Sequence, residues 1–247
     1  MAKQLQILLP MGGLGQRFRD EGYTTPKPLI EVEGTPMFLR AIESFDGLDV
    51  QKQTAFVVRQ DAQDEYDLAT SIQNILPDAK IVILGHNTRG AAETALLAKE
   101  YIDPNNPLII MDCDFEFTSV EYFAYVRDIL KDASYDGVLL SFVSDNPRYS
   151  YAKVDEQGFV TETAEKVVIS NNALWGAYCF ARGSLFIEYA EKIMQQGLSD
   201  ERKEFYISYV YSEMIADGHK IKLAMVDEFH SFGTPTELNE YLSTRND

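Results

Sequence analysis

The chain has 247 residues, of which 45% are hydrophobic and 25% charged, and its formal net charge is −17. That is enough apolar chain for a sizeable core, in one large α/β domain or two small ones. A surface this acidic excludes a duplex nucleic-acid binder and an electrostatic membrane anchor, and a phosphate site must override it locally with cations, backbone N–H groups or a metal ion.

The opening "MAKQLQILLPMGG" lacks the long apolar core and cleavage site of a signal peptide, and no run is long enough for a membrane helix. A cytoplasmic protein is the expectation. Short apolar runs rich in branched residues predict strands at "LQILLP" (5–10), "TAFVVR" (54–59), "KIVILG" (80–85), "PLIIMDCD" (107–114) and "GVLLSFVS" (137–144). Helical patterns fall between them: "PMFLRAIESF", "DEYDLATSIQNIL", "AAETALLAKEYI" and "SVEYFAYVRDIL". Strands apolar throughout and separated by helices predict a mainly parallel sheet covered on both faces. From residue 146 the pattern changes. "YSYAKVDEQGFVTETAEK" alternates around a turn at Glu156-Gln157-Gly158 and predicts a β-hairpin. "NALWGAYCFARG" predicts a strand, helices are expected near 184–196 and 205–217, and "KIKLAMVD" and "TPTELNEYL" predict a last strand and helix. The two cysteines, Cys113 and Cys179, lie in strand-like apolar settings and read as buried free thiols. With no repeat or linker, one domain spanning 1–247 with an inserted β-rich region is the expectation.

The stretch "LPMGGLGQRFRDEGYTTPKPLI" (9–30) carries the first chemistry. It is not a Walker A loop, because no Lys-Ser or Lys-Thr follows the glycines. It is a poor dinucleotide fingerprint too: Phe18 stands where a third glycine belongs, and Gly22, Pro26 and Pro28 interrupt the helix that motif needs. Gly12, Gly13 and Gly15 instead let backbone N–H groups approach a polyphosphate at a short helix start. Arg17 adds a planar fork of donors, and the proline-flanked segment carries Lys27 back as a second cation.

"LPMGGLGQRF…TPKPLIEVEGTPM" resembles the signature of the sugar-phosphate nucleotidyltransferases, or NDP-sugar pyrophosphorylases. "GAAETALL", "IIMDCD", "EKVVISNNALWGAYCF" and "FGTPTEL" follow in that family's order. The resemblance implies a Rossmann-like three-layer α/β/α sandwich, with nucleotide binding up to about residue 145 and acceptor-binding and closing elements after it. It implies transfer of a nucleoside monophosphate from an NTP to a phosphorylated small molecule, with release of pyrophosphate and Mg²⁺ as cofactor. The form of the opening motif is closest to nucleotidyltransferases of bacterial capsule and surface-polysaccharide pathways.

The remaining site residues follow in this light. Asp112 and Asp114 end an apolar strand and, two apart, face one side; they are the candidate Mg²⁺ ligands, with Asp112 preferred by position. Met11 joins the three glycines in a candidate nucleotide site. The resemblance places Gly90 at a turn bordering base and ribose, with Glu93 or Thr94 as a bonding partner, while Arg89 is an alternative phosphate contact. Glu165 and Lys166 match the family's pair near the acceptor phosphate, where Lys166 lowers the repulsion between two anions. Tyr178, Trp175 and Tyr206 are candidate acceptor contacts, although core packing is the commoner fate of such residues, Tyr209 included. The resemblance implies a second metal-binding Asp where Ser231 stands here; His230 or Asp227 are the nearby substitutes, and the alternative is a metal held by Asp112, Asp114 and substrate phosphates. Two rival readings stand: a GT-A-type glycosyltransferase using Asp112-Cys113-Asp114 as its D-x-D motif, and a non-catalytic nucleotide-binding domain. The helix near 184–196 is a candidate surface for a homo-oligomer.

Overall fold

The structure, a computed structural model, describes residues 3–132, 134–200 and 202–245. Strand β1 (Leu5–Met11) leads through a glycine loop into helix α1 (Gln16–Asp20), a 3-10 turn at Lys27–Leu29, a ribbon of β2 (Glu31–Val32) and β3 (Thr35–Pro36), and helix α2 (Met37–Glu43). Then come β4 (Lys52–Arg59), α3 (Gln60–Tyr66), α4 (Leu68–Ile75), β5 (Lys80–Leu84), α5 (Ala91–Leu96), β6 (Leu108–Met111), β7 (Phe115–Thr118) and α6 (Val120–Leu130). The second half contains β8 (Gly137–Val143), β9 (Ser150–Val154), β10 (Val160–Glu165), β11 (Asn172–Phe180), α7 (Gly183–Gln196) and α8 (Ile207–Ala216). It closes with β12 (Ile221–Met225), β13 (Glu228–Ser231) and α9 (Pro235–Arg245).

One mixed sheet organises these elements. Its neighbours run β10-β9-β11-β6-β1-β4-β5, and β8 joins β11 to β12. β6, β1, β4 and β5 are all parallel, which explains why β1 and β6 are apolar and buried along nearly their whole length. β11 runs antiparallel to β6, β8 and β9, so the parallel half carries an antiparallel extension. The register Leu8↔Ile110 between β1 and β6 brings the loop after Met11 beside the loop after Met111. Two chain segments a hundred residues apart thus open side by side at the carboxyl ends of parallel strands, where open α/β sheets hold ligands.

The expected hairpin is present as β9–β10, with Gly158 at φ 75 in its turn. Three features differ from the sequence reading. The pattern over "DEYDLATSIQNIL" is broken at Asp67, whose left-handed φ of 47 splits it into α3 and α4. α5 stops at Leu96, and a 3-10 turn at Lys99–Tyr101 takes up the remainder. The ribbon of β7 with β13 was not expected, because its strands are four residues long and pair across more than a hundred positions. This ribbon leads to α9, whose Leu238 and Tyr241 join Phe18, Ile30, Val32, Met37 and Phe232 in a satellite core. The closing helix therefore anchors the helix that follows the glycine loop.

Candidate active site

The loop after β1 walls a cleft of about 460 Å³. A Cβ on Gly12 would lie 2.9 Å from Thr94 Cγ2 and 3.2 Å from Leu84 Cδ2, so only glycine lets the loop lie against α5. Gly13 meets nothing within 4 Å and leaves its backbone open to the cleft, while Gly15, at φ 61, turns the chain into α1. Met11, Lys27, Gly90 and Thr94 line the same cleft.

The opposite wall depends on a clasp between α5 and the approach to α8. Phe205 N–H donates to Arg89 O at 2.8 Å, and Ala92 N–H donates to Phe205 O at 2.9 Å. Thr94 Oγ1 donates to Gly90 O at 3.0 Å and is bonded to the Thr88 hydroxyl. Glu93 does not line the cleft: its carboxylate holds Arg89, accepting from the backbone N–H and, at 2.6 Å, from the guanidinium, which also stacks over Phe205. The expectation that Glu93 contacts base or sugar is replaced by this clamp, and Arg89 is spent in it rather than aimed at phosphate.

Asp112, Cys113 and Asp114 form the floor. Both thiols are free; Cys179 is buried, but Cys113 is only partly so, against expectation, because it opens on the cleft. Lys27 Nζ donates to Asp114 Oδ2 at 2.5 Å and lies 3.4 Å from Gly233 O. Burial pulls the Lys27 pKa down, but the Asp114 carboxylate outweighs it, with help from Asp112, and the net shift is upward. Asp112 is exposed on the side that faces the cleft, while protein crowds its other sides. That crowding, and then the Asp114 charge, push its carboxyl up to about 7 against the pull of Lys27. An unfolded Asp ionises near 3.8, so the native state loses stability as pH climbs from there through about 7. Asp112→Asn is accordingly expected to raise the melting temperature at pH 8 in EDTA, with no gain at pH 4, in thermal melts of both proteins.

A second cleft of about 320 Å³ shares Asp112, Asp114 and Tyr206 with the first. Arg17, expected beside the glycines, lines this second cleft instead, and Arg148 and Glu237 join it. Glu165 is bonded to the hydroxyls of Ser150 and Ser208. Lys166, at φ 56, donates to the Tyr206 hydroxyl at the junction of the clefts and lies 4.4 Å from that ring's centroid. Tyr178 and Trp175 both line the cleft, and Trp175 is also packed on Phe229, Phe142 and Phe115. Tyr209 lies beside Tyr206, with Arg202 stacked on its ring.

Neither expected substitute for the missing Asp reaches this place. His230 stacks on Tyr241 and lines a separate cavity with Arg40, while Asp227 accepts from Val120 N–H at the start of α6. Ser231 Oγ instead donates to Glu237 Oε2 at 2.9 Å. Arg148 and Glu237 were not singled out by the sequence: Arg148 lies in no motif, and Glu237 lies within "FGTPTEL", where nothing in the sequence marked it as a site residue.

The donor set suits a hard divalent cation. Asp112 and Asp114 offer carboxylate oxygens, and the Lys27 ammonium on Asp114 shows that a cation is accommodated there. Among the described residues no group of three or more acidic, His or Cys side chains converges as a self-sufficient cage, so phosphate oxygens and water would complete the coordination.

Comparison with known proteins accords with this layout. The model of the nucleotidyl transferase family matches residues 6–230. The chain is 26% identical over 184 residues to the mannose-1-phosphate guanylyltransferase catalytic subunit beta of Drosophila pseudoobscura pseudoobscura, covering 71% of this chain and 47% of that one. It is 24% identical over 240 residues to the bifunctional protein GlmU of Carboxydothermus hydrogenoformans, covering 93% of this chain and 50% of that one. The chain thus spans about half the length of these curated relatives. Among solved structures, the nucleoside-diphosphate-sugar pyrophosphorylase of Vibrio cholerae RC9 superposes with a TM-score of 0.83 at 28% identity, over 96% of this chain and 99% of that one. The inositol-1-phosphate CTP transferase of T. maritima shares the fold, with a TM-score of 0.75 at 15% identity over 99% of this chain and 95% of that one. With the Rossmann-like α/β architecture, the matched model and two clefts meeting at one acidic floor, the chain belongs to the nucleotidyl transferase family.

Proposed function

We propose that this protein transfers a nucleoside monophosphate from CTP, UTP or dTTP to a phosphorylated sugar or another small phosphorylated metabolite, phosphoglutamine included, and releases pyrophosphate. The observation that carries the reading is the meeting of a glycine-walled cleft and a cation-lined cleft at Asp112 and Asp114. Two anionic substrates entering from either side would bring the acceptor phosphate oxygen to the α-phosphorus. One O–P bond forms there as the bond from the α-phosphorus to the pyrophosphate oxygen breaks. Such catalysis needs position and charge stabilisation rather than a protein nucleophile.

In this reading the backbone of Gly12, Gly13 and Gly15 and the Lys27 ammonium hold the triphosphate, with Met11, Gly90 and Thr94 shaping the nucleoside end. Arg17 and Lys166 receive the acceptor phosphate, and Glu165, Tyr178 and Tyr206 shape its pocket. Mg²⁺, on Asp112 or Asp114, would supply positive charge to the phosphates. Surface-polysaccharide synthesis is the process that this chemistry would serve.

The test is pyrophosphate release with Mg²⁺, screening the NTPs against sugar 1-phosphates and phosphoglutamine. Release that requires one NTP and one acceptor together is expected. Silence across the panel, with hydrolysis of nucleotide sugars or glycosyl transfer instead, would establish the D-x-D glycosyltransferase. Nucleotide binding without either turnover would establish the non-catalytic domain.

A further inference from the structure

We propose that the acceptor carries a carboxylate in addition to its phosphate, and that Arg148 and Trp175 receive it; the inference rests on the nucleotidyl-transfer reading and specifies its acceptor. The second cleft holds more hydrogen-bond donors than acceptors to meet them. Of the four carboxylates that line it, three already accept from side chains: Asp114 from Lys27, Glu165 from Ser150 and Ser208, and Glu237 from Arg148 and Ser231. The fourth, Asp112, belongs to the floor shared with the nucleotide cleft. The Arg17 guanidinium has no partner among the described residues and suits one phosphate. The surplus that remains is centred on Arg148.

Arg148 is fixed without being used up. Its Nη2 donates to Glu237 Oε1 at 3.0 Å and to the Tyr149 hydroxyl, and the guanidinium lies 4.6 Å from the centroid of the Tyr149 ring. Nε–H and both protons of Nη1 find no acceptor among the described residues, so three of the five N–H donors stay open. Trp175 packs against the same Tyr149, with ring centroids 6.3 Å apart. It is only 6% exposed, yet its Nε1–H has no partner. A buried donor without an acceptor costs free energy until something supplies one. β11 shifts register against β8 between Leu174 and Tyr178. This irregularity lets Leu174, Trp175 and Gly176 share one cleft wall, which a regular strand would split between two faces.

Donors that cannot accept call for a group that cannot donate, which a carboxylate is and a sugar hydroxyl is not. The two oxygens of a carboxylate also match the planar guanidinium. Glu237 sets a limit on charge: next to it, a singly charged carboxylate meets less repulsion than a second phosphate does. Phosphorylated acids are thus the acceptor class, and neutral sugar phosphates are the poorer acceptors.

The experiment is isothermal titration of the full chain with two matched pairs of probes, 3-phosphoglycerate against glycerol 3-phosphate and glucuronic acid 1-phosphate against glucose 1-phosphate. Within each pair the phosphate is kept and a carboxylate replaces a hydroxymethyl group. The wild type is expected to bind the acid of at least one pair about ten-fold or more tightly than its neutral counterpart. Arg148→Met is expected to bring that ratio to within about twofold, and Trp175→Phe, which keeps a ring and loses the N–H, to lower it several-fold. Near-UV circular dichroism checks the fold of each variant. Should R148M not fold, Arg148→Lys keeps the charge, loses the fork and is expected to lower the ratio several-fold. A wild-type ratio within about threefold in both pairs, or no binding of any probe, would overturn the proposal. So would a ratio undiminished in W175F, in R148M or, in its place, in R148K. Pyrophosphate release from an NTP with any acceptor, neutral ones included, is measured separately and shows whether the transfer reading survives either result.

Discussion

Replacing Lys27 by methionine is expected to lower kcat/KM for the NTP by about two to three orders of magnitude, the loss typical when one preorganised donor to a developing charge is removed. Methionine matches the length and apolar stem of lysine, so it keeps the contact with Phe18 but not the charge. The melting temperature should move by only a few degrees, because Lys27 sits at a cleft wall outside both hydrophobic cores. The sign of its pH dependence follows from its raised pKa. The contribution of Lys27 to stability is fully present below its ordinary value of 10.5 and is lost only as pH rises through the higher folded value. Lys27 itself therefore stays charged between pH 6 and 9, and any pH dependence of the K27M defect in that window comes from Asp112, whose carboxyl rises further once the pull of the ammonium is gone. Steady-state kinetics and thermal melts check both halves: a kcat/KM within threefold of the wild type would remove Lys27 from the reaction.

Gly90→Ala is expected to be the most damaging single-methyl change in the nucleotide cleft. Gly90 sits at φ 144 and ψ 173, a conformation nearly closed to residues with a Cβ. The added carbon would also lie 2.6 Å from both N and O of Phe205, the backbone groups on which the clasp to α5 depends. Neither rotamer choice nor side-chain movement relieves a clash with backbone. Strain and overpacking together should cost about 3 kcal/mol, or roughly 6–12 °C of melting temperature for a chain of this size. NTP affinity should fall as well, since Thr88, Gly90 and Ala91 line that cleft. Thermal denaturation with and without NTP measures both effects, and an unchanged melting temperature would show that the clasp opens at little cost.

Much of this arrangement was legible in the chain because local chemistry carried it. β1 and β6 are readable since strands buried on both faces are apolar throughout, and the β9–β10 hairpin since Gly158 takes a positive φ in its turn. The glycine loop and Lys27 were legible because their residue types have few other uses in that order. The Arg89–Glu93 clamp also had a signal, an opposite-charge pair at i and i+4 beside a helix start, which outweighs a ligand role for Glu93. Other features were hidden by distance along the chain. Arg148 and Glu237 meet across 89 positions, and Phe205 clasps α5 across more than a hundred. No periodicity reports such pairings, because they depend on how sheet and satellite core bring separate loops together. Arg17 was found as a residue and misplaced as a neighbour for the same reason: α1 turns it towards the second cleft.

The central claim is that the α-phosphorus of an NTP is attacked by an acceptor phosphate. It is tested most directly by following radioactive phosphorus from each position of the NTP identified in the pyrophosphate screen. The account predicts that α-label enters the nucleotide-linked acceptor while β- and γ-label leave together as pyrophosphate. Appearance of γ-label on the acceptor, or of α-label only in free nucleoside monophosphate whether or not acceptor is present, would contradict it.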